Sequence, residues 1–254
     1  MNVALILSGG KGTRLGSDVP KQYIEVYGRP IISYSIKCLS EHGGIDAILI
    51  VADSLWYEQI EKWLQVFDIN HKFWGFAGQG SNRQLSIYNG LEAIKAYTND
   101  TDSVLVHDAA RPLLSAKQIS DCLEAINGHD GVLPVLPMKD TVYSSVDGST
   151  VTSLLNRKEI YAGQAPELFR FGKYYEANRC LLPDQILQIN GSTEPAILAG
   201  MDIAIINGDE NNFKITTKAD LERFRQIVCA AKGVMPAKAG RGNINESLGL
   251  TWNQ

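Results

Sequence analysis

From Val3 to Leu7 the chain reads VALIL, an apolar stretch without alternation, and it breaks at Ser8-Gly9-Gly10. An unbroken apolar run of this length suits a strand buried on both faces, as in a parallel sheet covered by helices. Further strand-like runs follow at Ala47 to Val51, Lys72 to Phe76, Ser103 to His107 and Asp202 to Ile206. Between them the apolar spacing turns helical: Pro30 to Leu39, Ser54 to Val66, Ser81 to Ala96, Ser115 to Ile126, Arg170 to Leu182 and Lys218 to Ala231. Pro30 suits a first helical turn and Ser81 an N-cap. Strands alternating with helices require right-handed crossovers. The predicted fold class is therefore α/β, a mostly parallel twisted sheet with helices on both faces.

The alternation fails from Met138. Thr141 to Leu154 is β-branched and polar around a turn at Asp147-Gly148-Ser149, the pattern of a hairpin without a covering helix. Residues 138–157 are expected to project as an arm whose cover comes from a second subunit, making a homodimer. Residues 1–231 are expected to form a single domain. Beyond Lys232 the periodicity fades, predicting a loosely ordered tail over 232–254, with Leu248, Leu250 and Trp252 as a short anchor.

Bulk composition narrows the partners. A formal charge of -4 supplies no global positive field for nucleic acid. No apolar run approaches the ~20 residues of a membrane span, and the N-terminus enters a strand without a basic leader, so a cytoplasmic location is expected. The four cysteines, Cys38, Cys122, Cys180 and Cys229, form no C-x-x-C pair and are expected to be buried, reduced thiols.

In an open parallel sheet, ligands bind at the carboxyl ends of the strands. Four polar signatures fall at such ends. The first is LSGGKGTRLGSDVPK, where Gly9, Gly10 and Gly12 permit positive φ and close approach. Successive N–H groups there, with Ser8, Thr13, Arg14 and Lys21, describe a triphosphate cradle. The loop is not the dinucleotide fingerprint, because Leu15 takes the third glycine position, nor a Walker loop, because Gly10-Lys11 precedes Gly12. The second is GQGSNR, with Gly80, Ser81, Arg83 and Ser86 as nucleotide contacts. The third is VHDAARP, where Asp108 is placed to hold Mg²⁺ and Arg111 to grip a substrate phosphate; His107 is expected to be a packed histidine. The fourth is NFKITT, where Lys214 is a candidate cation for the transferring phosphoryl group. Thr141 and Arg157, at the ends of the arm, are placed to reach a neighbouring subunit's site.

The ordered set LSGGKGTRLG…PKQY, GSNRQLS…GL, VHDAARP, KDTV, NRKEIYAGQAP and NFKITT resembles the cytidylyltransferases acting on 2-C-methyl-D-erythritol 4-phosphate and on ribitol 5-phosphate. The match runs from about Asn2 to Ile227. It implies a Rossmann-like nucleotidyltransferase fold with a dimerising arm, CTP as substrate and Mg²⁺ as cofactor. By the resemblance, Arg14, Lys21 and Lys214 are the catalytic cations and Gly80, Ser81 and Ser86 the cytidine turn. Asp108 is the metal carboxylate, and Arg111, Thr141 and Arg157 hold the acceptor. Two departures concern the acceptor. Asn190-Gly191-Ser192-Thr193-Glu194-Pro195 replaces the usual Thr-Asp-(Asp/Glu)-Ala-Ser, and Ala165-Pro166-Glu167 replaces Thr-Pro-Gln. Both incline the reading toward D-ribitol 5-phosphate, a surface-polymer precursor, over the isoprenoid acceptor. A uridylyl- or guanylyltransferase, a nicotinamide-dependent reductase and a non-catalytic phosphosugar-binding protein are the competing readings.

Overall fold

The first strand, β1 (Asn2–Leu7), has a neighbour on each edge and a helical layer on each face. The computed structural model describes residues 1–10, 16 and 19–231. Gly12, Thr13 and Arg14, and the tail over 232–254, lie outside the described residues. After the glycine loop come β2 (Glu25–Val26), β3 (Arg29–Pro30), α1 (Ile31–Glu41), β4 (Ala47–Ala52), α2 (Tyr57–Phe67) and β5 (Phe73–Gly78). Then follow α3 (Arg83–Ile94), β6 (Ser103–Asp108), α4 (Ala116–Ala125) and β7 (Gly131–Pro137). The arm carries β8 (Tyr143–Ser144) and β9 (Ser153–Leu154). The chain closes with β10 (Tyr161–Gly163), β11 (Glu167–Arg170), α5 (Phe171–Arg179), α6 (Glu194–Leu198), β12 (Ile203–Asn207) and α7 (Lys218–Ala231).

The central sheet has eight strands. β4 and β6 flank β1 in parallel, and β5 extends the sheet beyond β4. On the other side β11 runs antiparallel between β6 and β7, and β12 is parallel to β7. β11 and β12 both pair with Gly131 and Val132, so they lie on opposite edges of β7; β10 follows along the β11 edge. The predicted mostly parallel α/β sheet stands, with β11 and β10 as antiparallel additions.

Period-two alternation sorts the core. Ala4 and Ile6 of β1 face α1, α2 and α4, while Val3 and Leu5 face α3, α5 and α6. A third cluster around Ile31, Ile215 and Phe224 fastens α7 beside α1.

Several elements differ from the sequence reading. β7 carries Pro134 and Pro137, residues that argue against a strand read alone; β11 is only four residues long with a charge at each end. Helix α3 starts at Arg83 and is capped by Asn82, whose side chain accepts the Leu85 amide, not by Ser81. The arm is a two-residue ladder, Tyr143 opposite Leu154 and Ser144 opposite Ser153, with Asp147 accepting the Ser149 and Thr150 amides at 2.9 Å. Val146 is 93% exposed, and Tyr143, Val151 and Leu154 are exposed with it. Of the cysteines, Cys122 and Cys229 are buried as expected, but Cys180 is exposed and Cys38 half-buried. Cys180 follows the last residue of α5 and so lies past the helix's buried stripe.

Phe169 of β11 is fully buried and stacks on Tyr174 of α5, centroids 3.9 Å apart. Phe169→Ala is expected to cost roughly 3–5 kcal/mol in guanidinium unfolding, the range for emptying a large buried aromatic site.

Candidate active site

The site begins where β1 stops. Ser8 continues the ladder by donating its amide to the Val51 carbonyl, and the chain then turns out of the sheet. A short helical turn, Lys21–Tyr23, folds back beneath the loop. Gln22 donates its amide to the Ser8 carbonyl at 2.6 Å and the Gly10 carbonyl at 2.9 Å. Ser8 donates its hydroxyl to the Tyr23 hydroxyl oxygen, and Tyr23 packs on Trp56. These inward side chains fix the turn that carries Lys21 at the cleft wall. Ser8 is therefore a buried brace beneath the loop and does not line the cleft.

Gly9 and Gly10 do not take positive φ, contrary to the expectation for this loop. Gly9 is needed for space: a Cβ there would stand 2.6 Å from the Gln79 Cβ. The two glycine loops thus close on each other. At the second loop the Gly80 amide donates to Ser86 Oγ at 2.9 Å, and Ser86 donates to the Asn82 carbonyl at 2.8 Å. A Cβ on Gly80 would meet the Leu85 backbone at 2.7 Å. Ser86 and Gly80 shape this turn, and their polar groups are engaged inside it.

Asp108 ends β6 with its carboxylate buried and surrounded by cations. Arg83 from α3 reaches Oδ1 at 3.1 Å, Arg111 reaches Oδ2 at 3.3 Å, and Lys214 reaches Oδ2 at 3.0 Å. Burial alone would push the Asp108 pKa up; Arg83, Lys214 and Arg111 outweigh it and hold the group well below the usual carboxylate range. For Arg83 burial works toward a lower pKa, but Asp108 and Glu167 outweigh it and the guanidinium is held above its ordinary value. Glu167 on β11 is buried, which raises its pKa, although Arg83 opposes the rise. His107 is wholly buried, with Nε2 against Ser35 Oγ at 3.2 Å and the Arg111 carbonyl at 3.1 Å; burial pushes its pKa down to about 4, so it is a packed neutral histidine.

A cleft of about 700 Å³ opens at these strand ends. Gly9, Gly10, Lys21, Gly80, Ser81, Arg83, Ser86, Asp108 and Lys214 all line it, so residues far apart in sequence share one wall. Arg111 does not: it gives Nε to Asp108 and Nη1 to the Asn212 carbonyl at 2.8 Å, so within this chain it acts as a brace for Asp108 and the Lys214 loop. Thr141 and Arg157 are exposed on the arm, away from the cleft, and Arg157 donates to the Lys139 carbonyl. Gln22, Gln79, Asn82 and Thr216 also line the cleft and were not singled out from sequence. Gln22 carries a local signal, since it follows Lys21 directly.

No group of three or more His, Cys, Asp or Glu side chains gathers among the described residues. Asp108 is the one acidic residue among the described residues lining the cleft. That donor set does not suit an ion held by protein alone. A Mg²⁺ ion, which binds through one or two carboxylates and takes its other ligands from water and substrate phosphates, would need an Asp108 oxygen that Arg83, Arg111 or Lys214 engages in this structure. No helix among the described residues is long and apolar enough to cross a membrane.

Comparison with known proteins gives a consistent result. The family model for IspD, 2-C-methyl-D-erythritol 4-phosphate cytidylyltransferase, matches residues 2–229. A ribitol-5-phosphate cytidylyltransferase from Vibrio parahaemolyticus is 31% identical over 229 residues, covering 90% of this chain and 96% of that protein. A 2-C-methyl-D-erythritol 4-phosphate cytidylyltransferase from Thermotoga neapolitana is 35% identical over 227 residues, covering 89% and 96%. The chain spans only 56% and 55% of two bifunctional IspD/IspF relatives. Among solved structures, the 4-diphosphocytidyl-2C-methyl-D-erythritol synthase of Anaerococcus prevotii shares the fold, with a TM-score of 0.76 at 24% identity over 89% of this chain and 95% of that one.

Asp108→Asn would leave Arg83, Arg111 and Lys214 without their counter-charge. Removing one partner from a buried ion cluster typically costs about 3–5 kcal/mol, and roughly 2–3 kcal/mol is expected here because Arg83 and Lys214 reach solvent. Because the folded pKa is depressed, this stability is present above the ordinary aspartate value of 3.8 and is lost as pH falls below it. Urea unfolding of both proteins at pH 7 and in a descending pH series checks the size and the window.

Proposed function

This chain belongs to the IspD family and is a CTP-dependent cytidylyltransferase; we propose that it transfers CMP from CTP to a polyol phosphate, giving a CDP-polyol and pyrophosphate. The observation that carries this reading is the meeting of Lys21, Lys214, Arg83 and Asp108 on one cleft with the glycine loop.

The acceptor's phosphate monoester is itself an anionic nucleophile, so no general base is needed. Its oxygen forms a bond to the α-phosphorus as the bond to the bridging oxygen of the pyrophosphate breaks. The obstacle is repulsion between two anions and the charge that builds on the equatorial oxygens, which preorganised cations relieve. In this reading Lys21 and Lys214 bind the α-phosphate, with Arg14 as the third cation by resemblance. Lys214 is held at the cleft by Asp108, so a phosphate oxygen entering the cleft competes with that carboxylate for its ammonium. Gly80 and Ser81 border the cytidine, with Ser86 setting the shape of their turn. Mg²⁺ bound at Asp108 would offset charge on the β- and γ-phosphates. Residues 1–231 act as one catalytic domain in a cytoplasmic homodimer. The arm over 138–157, with Tyr143, Val146, Val151 and Leu154 exposed, docks on the partner and carries Thr141 and Arg157 to its acceptor site.

For the acceptor the reading favours D-ribitol 5-phosphate, on Ala165-Pro166-Glu167 and the segment 190–195. The isoprenoid acceptor 2-C-methyl-D-erythritol 4-phosphate is the second reading, supported by relatives of that name at comparable identity. Pyrophosphate release from CTP with a panel of polyol phosphates should show turnover with ribitol 5-phosphate above the methylerythritol compound. The reverse order moves the chain to isoprenoid synthesis, and no release with any polyol phosphate contradicts the function. Lys21→Ala and Lys214→Ala are each expected to lower turnover about 100-fold or more while leaving the fold intact; unchanged turnover in both would overturn their assignment.

A further inference from the structure

Lys214 sits on the loop between β12 and α7, a stretch without regular structure that must nevertheless hold an ammonium in place. Local bonds run from the Asn211 and Asn212 amides to Asp209 and from Thr216 and Thr217 to Asp220; the other anchors come from distant segments. The Gly208 amide donates to the Val135 carbonyl at 2.8 Å, and the Ile215 amide to the Ala110 carbonyl at 2.9 Å. Between these two points the loop is tied to the segment that follows the arm, through the Gln164 side chain and the Ala165 carbonyl.

Gln164 comes directly after β10. Its Nε2 donates to the Asp209 carbonyl at 3.1 Å, and its Oε1 accepts the Asp209 amide at 3.0 Å. The side-chain amide thus satisfies both backbone groups of one residue, as a neighbouring strand would. Gln164 is itself fixed by its backbone amide, which donates to the Pro134 carbonyl at 2.8 Å. Three residues further along the loop, Asn212 is fully buried. It donates Nδ2 to the Ala165 carbonyl at 2.8 Å and to Gln118 Oε1 at 2.9 Å. Its own carbonyl accepts Arg111 Nη1, and Arg111 also holds Asp108. Lys214 lies two residues on, 3.0 Å from the same carboxylate.

We propose that Gln164 and Asn212 form a clamp that positions Lys214 for cytidylyl transfer, by tying its loop to the chain segment leaving the arm. Neither side chain touches the cleft, so both act through Lys214. The Gln164 bonds are made to backbone groups of the loop, and its amide can be exchanged for a carboxylate of the same shape. Gln164→Glu keeps the volume and one acceptor but loses the donor to the Asp209 carbonyl. A carboxylate would also face that carbonyl oxygen, so the clamp opens. The consequence is a loss in the chemical step larger than the loss in nucleotide binding, because Lys21, Arg83 and the glycine loops remain where they are. The inference rests on the assignment of Lys214 to the transferring phosphoryl group.

The test is a mutant cycle of Gln164→Glu, Lys214→Ala and the double variant. Pyrophosphate release gives kcat, calorimetric titration gives CTP affinity, and a thermal melt checks folding. A displaced catalytic group is expected to lower kcat about 10- to 100-fold in Gln164→Glu, with a smaller loss in CTP affinity of no more than about 5-fold. The double variant should be no slower than Lys214→Ala alone, because the clamp has nothing left to position. Should Gln164→Glu unfold, Gln164→Met, which keeps the volume and loses both bonds, carries the same reading. A folded variant with unchanged kcat, or one whose loss multiplies with that of Lys214→Ala, overturns the clamp. Full turnover in Lys214→Ala itself overturns the assignment of Lys214, and the clamp with it.

Discussion

The Asp108 carboxylate at the end of β6 is the contact on which the site depends. A buried acid is costly to ionise unless opposite charge surrounds it. Arg83, Arg111 and Lys214 supply that charge from α3, from the turn after β6 and from the loop before α7. One carboxylate thereby joins three separate parts of the chain. It also offsets the repulsion among the three cations and so keeps them assembled.

The sheet makes this gathering possible. Parallel neighbours β1, β4, β5 and β6 bring their carboxyl ends to one edge, where loops are free of ladder constraints. The glycine loop and the GQGSNR turn then close on each other because Gly9 leaves room for Gln79. The antiparallel strands β11 and β10 have a different part. They lead from the arm back into the sheet and place Gln164 against Asp209 and Ala165 against Asn212. Arm, sheet and the Lys214 loop are thus joined through hydrogen bonds to main-chain atoms.

What was legible in the sequence was local. The buried runs of β1, β4 and β6, the glycine loop, Asp108 at a strand end and Lys214 in an apolar stretch each announce themselves within a few residues. What was not legible depends on partners distant in sequence. Arg83 meets Asp108 across 25 positions, Gln164 meets Asp209 across 45, and Asn212 meets Ala165 across 47. No spacing rule reports such pairs. The β7 strand was hidden by Pro134 and Pro137, and β11 by its brevity, since neighbours on both sides make each a strand. Asn82 displaced Ser81 as the cap of α3 because either residue suits an N-cap and only geometry chooses. Arg111 reads as a phosphate ligand in isolation; in the fold its guanidinium is occupied by Asp108 and the Asn212 carbonyl.

A cleft lined by Lys21, Arg83 and Lys214 beside a glycine loop is suited to the charge of a nucleotide triphosphate. Calorimetric titration of CTP, CMP and cytidine at two ionic strengths tests it most directly. Affinity should fall steeply from CTP to CMP to cytidine, and the CTP value should weaken as salt screens the exposed ends of the cations. Equal affinity for all three, insensitive to salt, would mean that Lys21, Arg83 and Lys214 do not face a polyphosphate and would contradict that use of the cleft.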